Sequence, residues 1–165
     1  MAVALARIDD RLIHGQVTVG WGQHLRPDLI LLASNAIAAD PWQAKVYASS
    51  VPPEIGVAVL SVHAAAARLL EAEAAGERVL LLTASAGEMA EIVRLGAPVA
   101  RVNVGGMHFS AGKHEMLPFV YVDRQDVRAF RRLLDMGIVL AAQQVPGGRS
   151  HPLGQDQITD MEERV

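Results

Sequence analysis

The feature of this sequence that most constrains its fold is a regular alternation of short apolar runs with longer helical stretches. The apolar runs are rich in Val, Leu and Ile, as is typical of strands buried on both faces of a parallel sheet. The alternation predicts an α/β fold with a mostly parallel central sheet of about seven strands and with helices on both faces. The predicted strands are Val3–Ile8, Asp28–Ala33, Val57–Val62, Val79–Leu82, Val99–Val104, Phe119–Val122 and Ile138–Val145.

The length of the chain bounds its domain organisation. Its 165 residues suit one domain, and neither an internal repeat nor a linker divides them, so we expect residues 1–165 to form a single domain. Hydrophobic residues make up 51% of the chain, which is enough to build a buried core. The stretch after about residue 146 is rich in glycine and polar residues, and we expect it to be irregular or loosely docked.

Composition argues against several classes of function. A formal net charge of -3, without a stripe of Lys and Arg, argues against nucleic-acid binding. The chain has no cysteine, and its six histidines lack the close spacing of a metal site, so we expect no metal and no cofactor. No apolar run is long enough to span a membrane, and we expect a cytoplasmic protein. The sequence leaves the oligomeric state open, and a homo-oligomer is compatible with it.

The segment from Arg7 to Val17 concentrates charged residues between the first strand and the first helix. It contains two arginines, two aspartates and one histidine, His14. Functional loops of such sheets lie beyond the carboxyl ends of the strands, and a helix N-terminus presents free N–H groups that favour anions. Arg11 adds a forked cation suited to phosphate oxygens, and Gly15 lets the backbone come close to a group held by His14. The segment therefore suits a histidine that is transiently phosphorylated.

A plainer interpretation of the same segment stays open at this point. A histidine between a strand and a helix is often only a surface or capping residue. Alternating arginine and aspartate residues can equally form local ion pairs, which are worth about 0–1 kcal/mol each. Residue types alone do not decide between the two interpretations.

Three separated stretches resemble one known family. The string RIDDRLIHGQV at residues 7–17 closely resembles the active-site segment of the IIB subunits of the mannose/fructose/sorbose family of the bacterial phosphoenolpyruvate-dependent sugar phosphotransferase system. Residues 103–109, NVGGMHF, resemble a loop of that family, and residues 143–146, QQVP, resemble its closing strand. The stretches occur in the family's order, and the resemblance covers the chain to about residue 146.

The resemblance implies that this chain is a phosphoryl carrier and an enzyme, a protein-phosphohistidine–sugar phosphotransferase. His14 would receive a phosphoryl group on its Nδ1 atom from a phosphohistidine of a IIA protein or domain. It would then pass the group to a sugar presented by the membrane subunits IIC and IID, which chiefly choose the sugar in this family. Arg11 matches the arginine that stabilises the transferring group. Asp10 matches an acidic neighbour that either orients Arg11 or the imidazole, or merely caps a turn.

Four further residues are candidates for phosphate binding: Gly15, Asn35, Gly106 and His108. Gly15 follows His14 directly. Asn35 and Gly106 fall at the ends of neighbouring predicted strands, where they would close the pocket. His108 would line the rim of the site, and a purely structural role is its plainer alternative.

Two other functions remain compatible with the sequence. One is a regulatory phosphoprotein, in which His14 is phosphorylated but no sugar is transported. The other is an α/β module that binds a nucleotide or a sugar phosphate. Against this second alternative, neither GxGxxG nor GxxxxGK[ST] follows the first predicted strand.

Overall fold

A seven-stranded sheet forms the centre of the protein in this computed structural model, which describes residues 2–165. The strands of the sheet are β1 (Val3–Asp9), β2 (Leu29–Ala33), β3 (Gly56–Leu60), β4 (Val79–Thr83), β5 (Arg101–Gly106), β8 (Val139–Ala142) and β9 (His151–Pro152). Their order is β3-β2-β4-β1-β5-β8-β9, and all neighbours are parallel except β8 and β9. The predicted α/β fold class with a mostly parallel sheet is therefore confirmed.

Helices cover both faces of the sheet. They are a π-helix (Gln16–Trp21) continued by α1 (Gly22–Leu25), then α2 (Asn35–Ala38), α3 (Pro41–Ser49), α4 (Val62–Ala75), α5 (Ala86–Arg94), α6 (Arg124–Asp135) and α7 (Gln155–Arg164). Helices α4 to α7 pack on one face, and the π-helix with α1 to α3 lies on the other. Ser85 and Asp123 each begin a helix with a capping box. Within residues 2–165, no helix combines the length and the apolar character that crossing a bilayer requires.

One predicted strand joins a different sheet. Residues Phe119–Val122 do not enter the central sheet, because β7 (Val120–Val122) pairs with β6 (His114–Leu117) in a separate antiparallel hairpin. The seventh strand of the central sheet is instead β9, which pairs antiparallel with Ala141 and Ala142 of β8. A short extended run shows that a strand forms, but its pairing partner is set by tertiary packing.

The C-terminal tail adopts regular structure, which corrects the expectation of an irregular end. After β9 the chain forms α7, whose Ile158 and Met161 are buried in the same core as the inner face of α6. Arg131 of α6 donates to Glu162 Oε1 of α7 at 2.6 Å. A few apolar residues in an otherwise polar stretch are thus enough to pack an amphipathic helix against the core.

The charged segment at residues 7–17 lies at the edge of the sheet that is formed by the carboxyl ends of the strands. Strand β1 lies between β4 and β5, so the residues after Asp9 emerge near the middle of this edge. Asp9 pairs with Gly106 across a register shift, and the Asp10 N–H donates to the Gly106 carbonyl at 3.0 Å. The ends of β1 and β5 are therefore held side by side, in the position expected for a functional site of an open α/β sheet.

Candidate functional site

The innermost group of the site is the guanidinium of Arg7, which is fully buried in strand β1. Its Nη1 donates to Asn103 Oδ1 and, at 2.9 Å, to the Gln143 carbonyl. Its Nη2 donates to the Gln144 carbonyl at 2.8 Å and to Asp9 Oδ2 at 3.1 Å. Burial lowers the pKa of the Arg7 guanidinium from its ordinary value, and the neighbouring Asp9 carboxylate acts in the opposite direction. Arg7 therefore joins the end of β1 to β5 and to the residues that follow β8.

The surroundings of the Arg7 guanidinium are closely fitted to it. A Cβ atom at Gly105 would lie 1.9 Å from Arg7 Cζ, so only glycine fits at that position. The Trp21 ring lies 5.2 Å from Arg7 Cζ, and Trp21 Nε1 donates to the Gln144 carbonyl at 3.2 Å. The three stretches at residues 7–17, 103–109 and 143–146 thus converge on one buried side chain.

The Asp9 carboxylate, which is also fully buried, connects the Arg7 guanidinium to the loop that follows β1. Besides the bond from Arg7, it accepts from the Arg11 backbone N–H at 3.1 Å and from Arg11 Nε and Nη2 at 3.2 Å each. Its Oδ2 atom lies 3.8 Å from His14 Nε2. Two guanidinium groups share this one carboxylate, so the cluster keeps an excess of positive charge that favours an anion.

Arg11 lies beside Asp9 with 35% of its side chain exposed. Its Nη2 also donates to Gln16 Oε1 at 2.9 Å, whereas its Nη1 has no hydrogen-bond partner within residues 2–165. The forked contact with Asp9 fixes the plane of the guanidinium, and the Nη1 donors stay available for an incoming anionic group. Arg11 and His14 approach the same carboxylate oxygen, which brings these two predicted site residues together.

His14 lies in the loop between β1 and the π-helix, with 19% of its side chain exposed. Its Nδ1 lies 2.7 Å from the Leu12 carbonyl oxygen, and Nδ1 carries the ring proton here because a carbonyl only accepts. Its Nε2 is buried and has no hydrogen-bond partner in the part of the chain that the structure describes. The His14 carbonyl begins the helix, since it accepts from the Val17 and Thr18 N–H groups at 3.0 Å each.

The loop that presents His14 holds Leu12 in an unusual backbone conformation. Leu12 has a φ of 60°, in the left-handed region that costs a non-glycine residue about 1–2 kcal/mol. Its side chain and that of Ile13 are buried in the core under the loop, and this packing offsets the strain. The Leu12 carbonyl is thereby directed at His14 Nδ1. A group attached to Nδ1 would require this bond to open, through rotation of the ring or of the Leu12–Ile13 peptide.

Asp10 makes different contacts from those that the sequence suggested. Its Oδ1 lies 2.5 Å from His108 Nδ1, and its Oδ2 accepts from the His108 backbone N–H at 2.6 Å. Among the described residues, no hydrogen bond or ion pair joins the Asp10 side chain to Arg11 or His14. Asp10 lies in the turn that follows β1, and its carboxylate contacts His108 instead. The orienting contact expected of Asp10 is therefore made by Asp9.

Two of the predicted glycines lie at open positions of the site. A Cβ atom at Gly106 would lie 3.0 Å from Asp9 Oδ1 and 3.5 Å from Arg11 Nη2, so the missing side chain keeps space beside both groups. A Cβ atom at Gly15 would meet nothing within 4 Å, so the space at that position does not require a glycine. Gly106 thus lies against Asp9 and Arg11, whereas Gly15 is adjacent to His14 only in the chain.

Asn35 does not lie in the site, which corrects the expectation that it closes the pocket. Its Oδ1 accepts from the Val62 N–H at 2.9 Å, so the side chain joins the start of α2 to the start of α4. Asn35 follows β2, and β4 separates β2 from β1 in the sheet. Asn35 and Gly106 were expected at the ends of neighbouring strands, but β4 and β1 lie between β2 and β5, and this order could not be read from the sequence.

The arrangement suits the transient attachment of an anionic group to an imidazole. A partly buried histidine just before a helix and a guanidinium with free donors approach one buried carboxylate, which fixes the guanidinium. Phosphoryl transfer needs this kind of positioning and cationic contact, because its transition state spreads negative charge over three equatorial oxygens. Within residues 2–165, no group of three or more His, Asp or Glu side chains is arranged to hold a metal ion.

Sequence reasoning missed Arg7 and Asp9, although a signal for both was present. They are the charged residues of β1, and their spacing of two places them on the same side of the strand. A charge on a buried strand needs a partner, so the pair could have been recognised as a buried ion pair.

Comparison with known proteins gives a family and a set of relatives. A family model described as the sorbose subfamily IIB component of the phosphotransferase system matches residues 3–163. The sorbose-specific EIIB component of Lacticaseibacillus casei is 35% identical over 140 residues, which cover 85% of each chain. The mannose-specific EIIAB component of Escherichia coli (strain K12) is 37% identical over 145 residues, which cover 88% of this chain but 45% of that relative.

Solved structures give the same picture. The IIB domain of the sorbose permease from Klebsiella pneumoniae superposes with a TM-score of 0.88 at 32% identity, over 97% of this chain and 98% of that chain. An N-acetylgalactosamine-specific IIB component from Escherichia coli superposes with a TM-score of 0.83 at 29% identity, over 90% and 97% of the two chains. The similarity therefore extends through α7 as well as through the site.

Proposed function

The chain belongs to the sorbose-subfamily IIB components of the phosphoenolpyruvate-dependent sugar phosphotransferase system, and we propose that His14 is the residue that carries its phosphoryl group. As a IIB component it takes a phosphoryl group from a IIA phosphohistidine and passes it to a sugar during uptake, and so it acts as a sugar phosphotransferase. One observation carries the choice of His14. The buried Asp9 Oδ2 lies 3.2 Å from Arg11 Nη2 and 3.8 Å from His14 Nε2, which brings the imidazole and the guanidinium to one point.

The first step exchanges one imidazole for another on phosphorus. The bond from phosphorus to the IIA histidine breaks as a bond to a His14 nitrogen forms. The free Nη1 donors of Arg11 bind the equatorial oxygens, while Asp9 holds the guanidinium in place. The N–H groups of Gly15 and Gln16, at the start of the helix, add further donors to the same space.

We infer that Nδ1 is the phosphorylated atom, as the family resemblance implies. Nδ1 is engaged by the Leu12 carbonyl at 2.7 Å before phosphorylation, so loading must open this bond. Rotation of the Leu12–Ile13 peptide would turn the Leu12 carbonyl away and free Nδ1. Asp9 Oδ2 is then placed to accept an N–H at Nε2, which selects the tautomer with an unprotonated Nδ1.

The relatives suggest the substrate class and the partners. We propose that the acceptor is one of the sugars that the relatives' names give, which include sorbose, mannose, fructose and N-acetylgalactosamine. The donor would be a IIA protein or domain, and the name EIIAB shows that the mannose-specific relative combines both in one chain. The sugar would be presented by IIC and IID membrane subunits. Residues 1–165 would act as one IIB unit on the cytoplasmic side of the membrane.

We expect sugar phosphate to form only when this chain carries His14. Vesicles with the IIC and IID subunits of the producing organism, but without this chain, are supplied with phosphoenolpyruvate, the general phosphotransfer proteins and the matching IIA. Radiolabelled sorbose, mannose, fructose and N-acetylgalactosamine are offered in turn. We expect one of them to be phosphorylated by the wild-type chain and His14→Gln to reduce the product to background, because glutamine cannot carry a phosphoryl group.

A second histidine serves as the matched control for this experiment. His63→Gln changes an exposed histidine of α4 and should leave sugar phosphate formation unchanged. A purely regulatory phosphoprotein would be labelled on His14 without forming any sugar phosphate. That result, or equal product with and without the chain, would contradict the proposed function.

A further inference from the structure

We propose that His108 is the general base that takes the proton of the acceptor sugar, so that the site contains a second catalytic histidine. The inference rests on the proposed function of His14 and concerns only the second transfer step. It starts from the pairing of His108 with Asp10, which binds both the ring and the backbone of His108. Asp10 Oδ1 lies 2.5 Å from His108 Nδ1, and Asp10 Oδ2 accepts from the His108 N–H at 2.6 Å.

The pairing leaves His108 in the form that a base requires. A carboxylate beside Nδ1 holds the ring proton on that atom, so Nε2 keeps its lone pair. The side chain is 55% exposed, and Nε2 has no hydrogen-bond partner among residues 2–165. A carboxylate behind one ring nitrogen also fixes the plane of the ring. His108 Nε2 is therefore oriented and open to a substrate.

The position of the pair places it beside the phosphoryl site. Asp10 stands between Asp9 and Arg11 in the chain, and its N–H donates to the Gly106 carbonyl at 3.0 Å. Gly106 borders the space beside Arg11, since a Cβ atom there would lie 3.5 Å from Arg11 Nη2. His108 follows Gly106 by two residues, at the exposed rim of the same edge. A sugar would reach phosphorus across this rim.

The loop that carries His108 is braced at both ends. On one side, the Met107 N–H donates to the Phe119 carbonyl at 2.9 Å, which ties the loop to the β6–β7 hairpin. On the other side, Lys113 Nζ donates to Asp126 Oδ2 of α6 at 2.8 Å. A base needs a fixed position relative to the proton that it removes, and these contacts supply it.

The two transfer steps differ in their need for a base. When His14 is loaded, the attacking atom is an imidazole nitrogen with a free lone pair, so no hydroxyl has to lose a proton. In the second step an O–P bond to the sugar forms while the N–P bond to His14 breaks, and the hydroxyl must lose its proton. We assign this proton to His108 Nε2. His14 leaves as a neutral imidazole that keeps the proton on Nε2, and His108 later returns its proton to solvent.

The inference predicts a variant that accepts the phosphoryl group from IIA normally but transfers it slowly to the sugar. His108→Gln keeps a donor for Asp10 but has no basic nitrogen. Loading is measured as transfer of ³²P from phospho-IIA, and delivery as a single turnover of the loaded, purified protein with vesicles that carry IIC and IID. The acceptor is whichever of sorbose, mannose, fructose and N-acetylgalactosamine the wild-type protein phosphorylates fastest. We expect loading within about twofold of wild type and delivery slower by about 10²–10⁴-fold, the usual contribution of general base catalysis.

Controls separate this role from a structural one. His114→Gln changes another exposed histidine, in β6, and should leave both steps unchanged. In His108→Ala, added imidazole should restore part of the delivery rate. Delivery by His108→Gln at the wild-type rate would overturn the inference, and so would equal slowing of both steps. If wild-type protein failed to load at all, the proposed function itself would be wrong, a different result from a defect confined to delivery.

Discussion

Replacing Arg11 by glutamine is expected to slow the loading of His14 by about 10²–10³-fold, the usual loss when one donor to transition-state charge is removed. The reason is that Arg11 combines a forked contact to the buried Asp9 with free Nη1 donors at an exposed position. Glutamine cannot contact both Asp9 and the transferring phosphoryl group. The rate is measured as single-turnover transfer of ³²P from phospho-IIA, and circular dichroism checks that the fold is retained.

Two variants sharpen the Arg11 prediction. Arg11→Lys keeps the charge but loses the fork, so we expect an intermediate rate. Arg101→Gln removes an exposed arginine at the start of β5, at the opposite edge of the sheet, and should have no effect on loading. If Arg11→Gln loaded as fast as wild type, Arg11 would be only a partner of Asp9 and would have no part in transfer.

Replacing Arg7 by methionine is expected to lower the free energy of unfolding by about 3–5 kcal/mol, because the buried Asp9 carboxylate would lose its fully buried partner and keep only the partly exposed Arg11. Three further bonds would be lost, to Asn103 and to the carbonyls of Gln143 and Gln144. Such a loss is a large share of the stability of an ordinary domain, which is about 5–15 kcal/mol. Urea unfolding followed by circular dichroism measures it.

A double-mutant cycle tests whether the Arg7 effect is electrostatic. In Arg7→Met with Asp9→Leu no buried charge remains, and we expect the double variant to be more stable than Arg7→Met alone. Arg94→Met is the matched control, since Arg94 forms an exposed pair with Glu91 and its replacement should leave the urea midpoint nearly unchanged. If Arg7→Met unfolded at the wild-type urea concentration, Arg7 would not hold the site together.

The sequence predicted the fold because the fold depends on local patterns. Apolar runs between helical stretches indicated the central strands, and the charged segment after the first of them, together with the resemblance to a known family, indicated His14 and Arg11 as candidate site residues. One end of each of α4, α5 and α6 is likewise set locally, by the capping residues Gly76, Ser85 and Asp123.

The contacts inside the site could not be predicted in the same way. Arg7 is held partly by the carbonyls of Gln143 and Gln144, and a backbone carbonyl leaves no trace in the identity of the residue that bears it. The left-handed conformation of Leu12 is imposed by packing, since leucine does not favour it. Which of two adjacent aspartates faces the cluster depends on where β1 ends, and strand ends are poorly defined by sequence.

The central claim is that a phosphoryl group travels on His14, and mapping that group tests it most directly. The protein is loaded with phosphoenolpyruvate, the general phosphotransfer proteins and the matching IIA, and is then kept at alkaline pH because phosphohistidine is labile in acid. Mass spectrometry locates the modified residue, and ³¹P NMR identifies the ring nitrogen. We expect one phosphoryl group, on Nδ1 of His14, and none in His14→Ala. A stable label on any other residue, or one that persists in His14→Ala, would contradict the account.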